Sequence, residues 1–334
     1  MPLVQLEGIA MSINRRQFSA RILAVSASAS VFPSHAQSST LRLFVGFPPG
    51  GLPDQVARAV AEQMRRSMGG PVVVENRPGA NGRIAGQAVK AAAADGFTYW
   101  VAPASNIVHL PHIYSDLGYD VLTDFVPVAQ VVENDFAFAI SAKVPATNLK
   151  EFADWCRKTP DKAAFGSAGA GSVTHMFGLL MGKELGVKLL HVPYKGNNLV
   201  LNDVAGGHLS GIVAVTSTLT QQHKAGTVRI LATTSRTRSV VLPLVPTFAE
   251  LGMGQLTLNE GTWVLARAGT PQTMIEKASI AAIQAAGSRE LPAVIEGQTI
   301  AAPLGSIEMR RLLQSEFVRR GAMVKSIGFS AESP

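Results

Sequence analysis

Cysteine is almost absent: Cys156 is the only one in 334 residues. An intrachain disulfide framework and a multi-cysteine zinc site are thereby excluded. Aromatic residues are scarce at 6% and charged residues at 16%, while hydrophobic residues reach 47%. A disordered chain has the opposite balance, so a packed core is expected. No segment beyond the leader is long and apolar enough to span a bilayer as a helix. The formal charge is only +7, and Arg15, Arg16 and Arg21 against Glu7 put +2 of it in residues 1–36. The rest attracts anions mildly and falls short of a nucleic-acid footprint. Lys224, Arg229, Arg236 and Arg238 form a loose basic region without interleaved aromatics, which also speaks against nucleic acid. Arg310, Arg311, Arg319 and Arg320 read as the solvated face of a terminal helix.

Enzyme signatures are missing as well. Gly166-Ser167-Ala168-Gly169-Ala170-Gly171-Ser172 is glycine-rich and opens a helix, but its G-x-x-G-x-G spacing is not that of a dinucleotide fingerprint. It lacks the Gly-Lys-Ser/Thr of a phosphate-binding P-loop. Neither Ser167 nor Ser172 has a glycine two places before it, so neither sits in a nucleophile elbow. His175, three residues after Ser172, reads as a neighbour of a helix cap. An exported serine hydrolase using Ser172 or Ser167 is the weakest of the readings. His109 and His112 are separated by Leu110-Pro111, and proline breaks the helical face on which a pair of metal-binding histidines would sit. His175, His191, His208 and His223 are scattered singly. No catalytic residue, no metal and no cofactor is expected. Asp116, Asp120 and Asp124 read as turn formers, and Cys156 as a core residue of an amphipathic helix over Leu149–Lys158.

What the chain does have begins with an address. Asn14-Arg15-Arg16-Gln17-Phe18-Ser19 is a twin-arginine pattern, followed by a short Ala- and Ser-rich apolar run and by Ser34-His35-Ala36. This is the layout of a bacterial export signal over residues 1–36, cleaved near Ala36. A mature periplasmic protein starting near Gln37 is expected, with Met11 a candidate start.

Beyond the leader, β-rich runs alternate with helical ones. Strands are expected at Leu41–Phe47, Val72–Glu75 and Phe97–Ala102, with helices between them, one of them over Ile84–Ala94. That order implies parallel pairing with helical crossovers. Val126–Val132 and Phe136–Ser141 read as extended, Ala163–Ser167, Lys188–Val192, Gly211–Val215 and Val228–Thr234 as strands, and Trp263–Ala266 as extended. Val173–Leu185, Leu199–Ala205, Met274–Ala286 and Ile307–Arg320 read as helices. Crossings between two α/β domains fit best near Phe138–Ser141 and Asn259–Val264, with a cleft between the domains.

Two glycine turns carry the binding chemistry. After the strand ending at Phe47, Pro48-Pro49-Gly50-Gly51 leads into a helix that Asp54 can cap, or Asp54 can anchor an ordered water. After Gly166, the second turn leads into a helix capped by Ser172. Each turn is either an anion seat of N–H groups at a helix start or a structural turn that holds water. Two such seats facing one another suit a ligand with a carboxylate, and binding it requires no proton transfer.

The motifs resemble a family. Phe47-Pro48-Pro49-Gly50-Gly51 with Asp54, Val72-Val73-Val74-Glu75-Asn76-Arg77-Pro78-Gly79-Ala80, Ala94-Asp95-Gly96-Phe97-Thr98, the glycine turn with His175, His191-Val192-Pro193-Tyr194-Lys195-Gly196, Asp203 with Gly206-Gly207, and Trp263 occur in the order of the periplasmic receptors of tripartite tricarboxylate transporters, the Bug receptors. The resemblance runs from about Leu41 to Ala322. It implies an α/β, two-lobed Venus-flytrap fold of the type II-like periplasmic binding protein kind, each lobe an α/β sandwich. One lobe would be residues 37–139 with 262–334, the other 140–261. It implies a small organic acid as ligand, inner-membrane transporter subunits as partners, a monomer, and no enzymatic activity. A sensory or scavenging receptor of the same fold is the alternative. Carried over, the first-lobe contacts are Phe47, Gly51, Asp54 and Ser105. Those of the second lobe are Ser167, Gly169, Ser172, His175, Tyr194, Lys195, Gly196 and Asp203, with Asp203 facing a ligand amine or hydroxyl. Departures from the family pattern include Asn197-Asn198, Ser210, the hydroxyl-rich Val215–Thr218 and Asn259-Glu260-Gly261 before Trp263. They point to a bound acid with an extra polar group.

Overall fold

Alternation of β-branched runs with amphipathic ones gives a mixed sheet flanked by helices. The computed structural model describes residues 40–167, 169–194, 196–291 and 299–328; the leader, its cleavage site and Lys195 lie outside the described residues. The chain begins with β1 (Leu41–Val45), α1 (Leu52–Met68), β2 (Val72–Asn76), α2 (Arg83–Ala91), β3 (Thr98–Pro103) and the short α3 (Ser105–Val108). β1 pairs in parallel with both β2 and β3, as the β-α-β-α-β pattern predicts. Asp116 and Asp120 accept N–H bonds from residues two places on, and Asp124 accepts from Asp120, so all three are turn formers.

β4 (Phe125–Ser141) departs from expectation. Two separate extended runs are expected, Val126–Val132 and Phe136–Ser141, yet Glu133-Asn134-Asp135 between them stay in the ladder, paired with Gly261, Glu260 and Asn259 of β9 (Asn259–Arg267). Polar side chains interrupt the hydrophobic pattern but leave the backbone N–H and C=O groups free to pair. Shifts in register near Pro127 and Gln130 bend the strand, as bulges do. The sheet changes partners between Asp135 and Phe136. From Phe136 onward β4 pairs with β7 (Gly211–Val215) on one side and β8 (Val228–Thr233) on the other. β5 (Ala164–Ser167) and β6 (Leu190–Pro193) extend that half in parallel beyond β7, and β10 (Ile300–Leu304) joins β4 in the first half.

Helices cover both faces of each half. In the first half, Val56, Val60 and Met64 of α1 pack with Ile275, Ala278 and Ala282 of α8 (Gln272–Ala286) against Leu43, Tyr99 and Val264. On its other face Trp100 and Trp263 meet Met309 and Leu313 of α9 (Ser306–Ile327). In the second half, Phe152 and Cys156 of α4 (Leu149–Lys158) and Phe177 and Met181 of α5 (Val173–Glu184) pack on Phe138 and Phe165. The opposite face holds Val200 and Val204 of α6 (Asn197–Gly206) and Leu219 of α7 (Thr216–Lys224). Each such apolar side chain contributes about 1.5–3 kcal/mol when fully buried. Cys156 is core, as expected, and burial pushes its thiol up to about 11.

α9 overturns one reading. Arg320 is 1% exposed. It donates to Glu316 at 3.1 Å and to the Asn259 carbonyl at 2.8 Å. Arg319 pairs with the same Glu316 and reaches the Thr257 carbonyl. A row of arginines on a helix looks solvated in sequence, but here the helix lies across the strands that join the two halves and presents one guanidinium to their carbonyls. Among the described residues, no helix is long and apolar enough to cross a membrane.

Candidate functional site

The first glycine turn is held by Asp54, though not as a cap. The N-cap of α1 is Gly51, with Pro53 just inside the helix. Asp54 stands at the third helical position and folds back. Its carboxylate accepts the Gly50 N–H at 2.9 Å, the Asn76 side-chain amide at 2.9 Å and two Arg58 N–H groups at 2.9 and 3.1 Å. The cap reading fails because these partners, one of them on β2, claim the carboxylate before the helix amides can. Asn76 also donates to the Phe47 carbonyl, which ties the turn to β2. Burial alone would raise the Asp54 pKa, but Arg58, Gly50 and Asn76 together hold it below the ordinary carboxylate range.

A depressed carboxylate contributes stability above its unfolded pKa, near 4, and loses it as pH falls through the folded value. Asp54→Asn is therefore expected to cost on the order of 1–3 kcal/mol at pH 7. The gap from the native protein should close in the most acidic part of a urea-unfolding series run across pH.

The second turn behaves as its sequence predicts at Ser172 and differently at its neighbours. Ser172 is the N-cap of α5, its Oγ accepting the His175 N–H at 3.2 Å and donating to the Gly169 carbonyl at 2.7 Å. Gly171 takes a φ of +72°, which glycine adopts without strain. Its N–H is used internally, donating to His175 Nδ1 at 3.1 Å. Behind it, Ser167 Oγ lies 2.8 Å from His191 Nε2, and the His175 and His191 rings stack at 3.6 Å. Burial pulls both imidazoles down to about 4, so they are neutral near pH 7. His191, read as a scattered histidine, is thus a partner of the turn; its place beside Ser167 follows from parallel pairing of β5 and β6.

Both turns reach one cavity of about 360 Å³. Phe47, Leu52 and Pro53 line it from the first half, and Gly171, Ser172, Val173 and Thr174 from the second. Of the twelve residues singled out from sequence, Phe47, Ser105 and Ser172 line this space. Gly51, Asp54, Ser167, Gly169 and His175 belong to the turns that shape it without lining it. Tyr194 donates to Asp203 at 2.6 Å, which with burial pushes the Tyr194 hydroxyl up to about 12. Neither lines the cavity, and Gly196 is the N-cap of α6. Asn197, the first residue of that helix, lines it instead.

Several lining residues were not assigned from sequence: Asn81, Asn106, His109, Asn134, Glu260 and Thr262. Asn197 and Glu260 carried a signal, since both lie in stretches that depart from the family pattern. His109 is fully buried with no partner on either ring nitrogen, and burial depresses it to about 3, so it is a neutral hydrogen-bonding group. Among the described residues no lysine or arginine lines this cavity. Two larger cavities, about 620 and 570 Å³, lie along α9 and beside Lys143 and Trp155; neither is lined by a residue of either glycine turn. No group of three or more His, Cys, Asp or Glu side chains able to hold a metal occurs among the described residues.

Comparison with known proteins gives this arrangement a family. The model of the "tripartite tricarboxylate transporter family receptor" matches residues 56–329. Protein BugT of Bordetella pertussis is 31% identical over 254 residues, covering 76% of this chain and 77% of that protein. The structure of the periplasmic binding protein BugD superposes with a TM-score of 0.73 at 28% identity, covering 87% of this chain and 98% of that one. MatC of Rhodopseudomonas palustris with bound malate superposes with a TM-score of 0.72 at 26% identity, covering 85% and 98%. These neighbours bind substrates and are not enzymes, which sets aside the hydrolase reading of Ser167 and Ser172. The two-turn α/β architecture and the matched length together place this chain in the tripartite tricarboxylate transporter receptor family, as a solute-binding protein of the Bug type.

Proposed function

We propose that this chain is a periplasmic receptor that holds a small organic acid in the cavity shared by the two glycine turns and delivers it to inner-membrane transporter subunits. The observation that carries the reading is that one cavity of about 360 Å³ is lined from both halves of the sheet by neutral hydrogen-bonding groups set among apolar side chains, with Glu260 the one acidic residue among the described residues. That volume suits a small molecule. Ser105, Asn106, Asn197 and neutral His109 offer donors to a carboxylate without the desolvation cost of a lysine or arginine. The solved relative MatC carries malate, a small organic acid. The two halves act as lobes that meet where the sheet changes partners, between Asp135 and Phe136 of β4 and at the start of β9. They hinge on β4 and β9, and the ligand shifts their open–closed equilibrium by binding the closed form better. Residues 1–36 direct export.

Thermal unfolding of the mature protein against a panel of organic acids tests this. A ligand present at a hundred times its Kd stabilises by about 2.7 kcal/mol, a rise in Tm of about 4–5 °C for a chain of this size. Small-angle scattering should show compaction with the same acid. A panel of mono-, di- and tricarboxylates that moves neither quantity removes the reading.

A further inference from the structure

Glu260 is the one acidic side chain lining the cavity among the described residues. It is 6% exposed, on β9 at the position paired with Asn134, where the two halves of the sheet join. One carboxylate oxygen, Oε1, accepts the N–H of Ser105 at 2.8 Å, and Ser105 itself lines the cavity, so the carboxyl group stands at the cavity wall. The other oxygen, Oε2, is buried and has no hydrogen-bond partner. The cation whose field reaches it, Arg320, gives hydrogen bonds to Glu316 and to the Asn259 carbonyl, and its Nη1 is likewise buried without a partner. A buried carboxylate oxygen left without a donor carries a desolvation cost that a bound partner would relieve.

From this we infer that the cavity takes an acid that also bears a cationic nitrogen, with the ligand ammonium donating to Glu260 Oε2. The inference rests on the carboxylate-receptor reading above and narrows it. Burial raises the Glu260 pKa; a ligand ammonium favours its ionised form and gains a charge-assisted bond, whereas a second ligand carboxylate would raise that pKa further. The neutral donors around it, among them Asn106, His109 and Thr262, are left for the ligand's own carboxylate. Asp203, which the family resemblance offered for a ligand amine, is taken by Tyr194 and lies outside the lining, so the role passes to Glu260.

Isothermal titration of the mature protein with matched probes decides it. The pairs are L-aspartate against succinate, 4-aminobutyrate against butyrate, and L-phenylalanine against 3-phenylpropionate. For at least one pair the amine-bearing acid should bind tenfold or more tighter than its deaminated counterpart. Glu260→Gln should close that gap to within about threefold by weakening the amine-bearing probe. This variant removes the charge and keeps the shape, so the amine-bearing probe should lose more affinity than the carboxylate-only one. If the native protein prefers the deaminated member of the pairs it binds, or shows no preference, the assignment to Glu260 is overturned while the receptor reading stands. The same holds if the variant weakens both members equally. If no probe binds the native protein, both fall. The preference of the native protein is read without any variant, so a poorly folding Glu260→Gln leaves the test intact.

Discussion

Replacing Arg320 with alanine lowers the stability of the protein by about 3–5 kcal/mol, the cost expected when one partner of a buried charged network is removed. Arg320 is fully enclosed, and its guanidinium donates both to Glu316 of its own helix and to the Asn259 carbonyl at the start of β9. Without it that carbonyl loses a donor, and Glu260 loses the positive field that opposes the rise in its pKa caused by burial. Chemical denaturation should read the loss directly, and Tm should fall on the order of 10 °C. Arg310, exposed on the same helix and donating to Gln272 at 3.3 Å, supplies the control; its alanine variant should stay within about 0.5 kcal/mol of the native protein. Arg320→Lys restores the charge but not two directed N–H bonds, so it should recover only part of the loss. Equal effects at positions 310 and 320 would show that the helix does not dock on the strands as described.

Gly46→Ala is expected to be nearly as damaging, for a different reason. A Cβ at position 46 would collide with the Gly82 Cα and lie 2.9 Å from the Gly82 carbonyl oxygen. The obstacle is backbone, so no rotamer change relieves it. Overpacking of this kind costs about 1–3 kcal/mol and sometimes more, and the upper part of that range applies here. The two segments that would be forced apart carry Phe47 and Asn81, both of which line the cavity. Ligand affinity should therefore fall more than tenfold, even at temperatures where the variant remains folded. Gly50→Ala makes a useful contrast. Its Cβ would meet nothing, but its φ of +89° strains any side chain, so it should lose about 1 kcal/mol through the backbone alone.

The local features of the site were legible and the convergent ones were not. Ser172 capping α5 is a contact over three residues, and its sequence announces it. The strand–turn–helix units around Phe47 and Ser167 are likewise written in short windows, because hydrophobic period and glycine placement act locally. Asp54 does not cap α1 because Gly50 and Arg58, four residues to either side, and Asn76, 22 residues away on another strand, all claim its carboxylate. The polar stretch Glu133-Asn134-Asp135 fell between two expected runs because its pairing partners lie more than 120 residues further on. Glu260 stood out only as an unusual neighbour of Trp263; nothing near it in sequence shows that Ser105 would bind one of its oxygens.

By itself the sequence determined the alternation of strands and helices, the two glycine turns, the burial of Cys156 and the family to which these belong. The first three follow from backbone preferences and from the periodicity with which apolar side chains are hidden; the family rests on the resemblance of its motifs. Tertiary structure decided which groups face the ligand cavity, that Arg320 is enclosed while Arg310 is not, and that one acidic oxygen is left unanswered at the cavity wall. Those outcomes depend on residues more than fifty positions apart being brought within a few ångströms, where burial, and not composition, sets the strength of each charge.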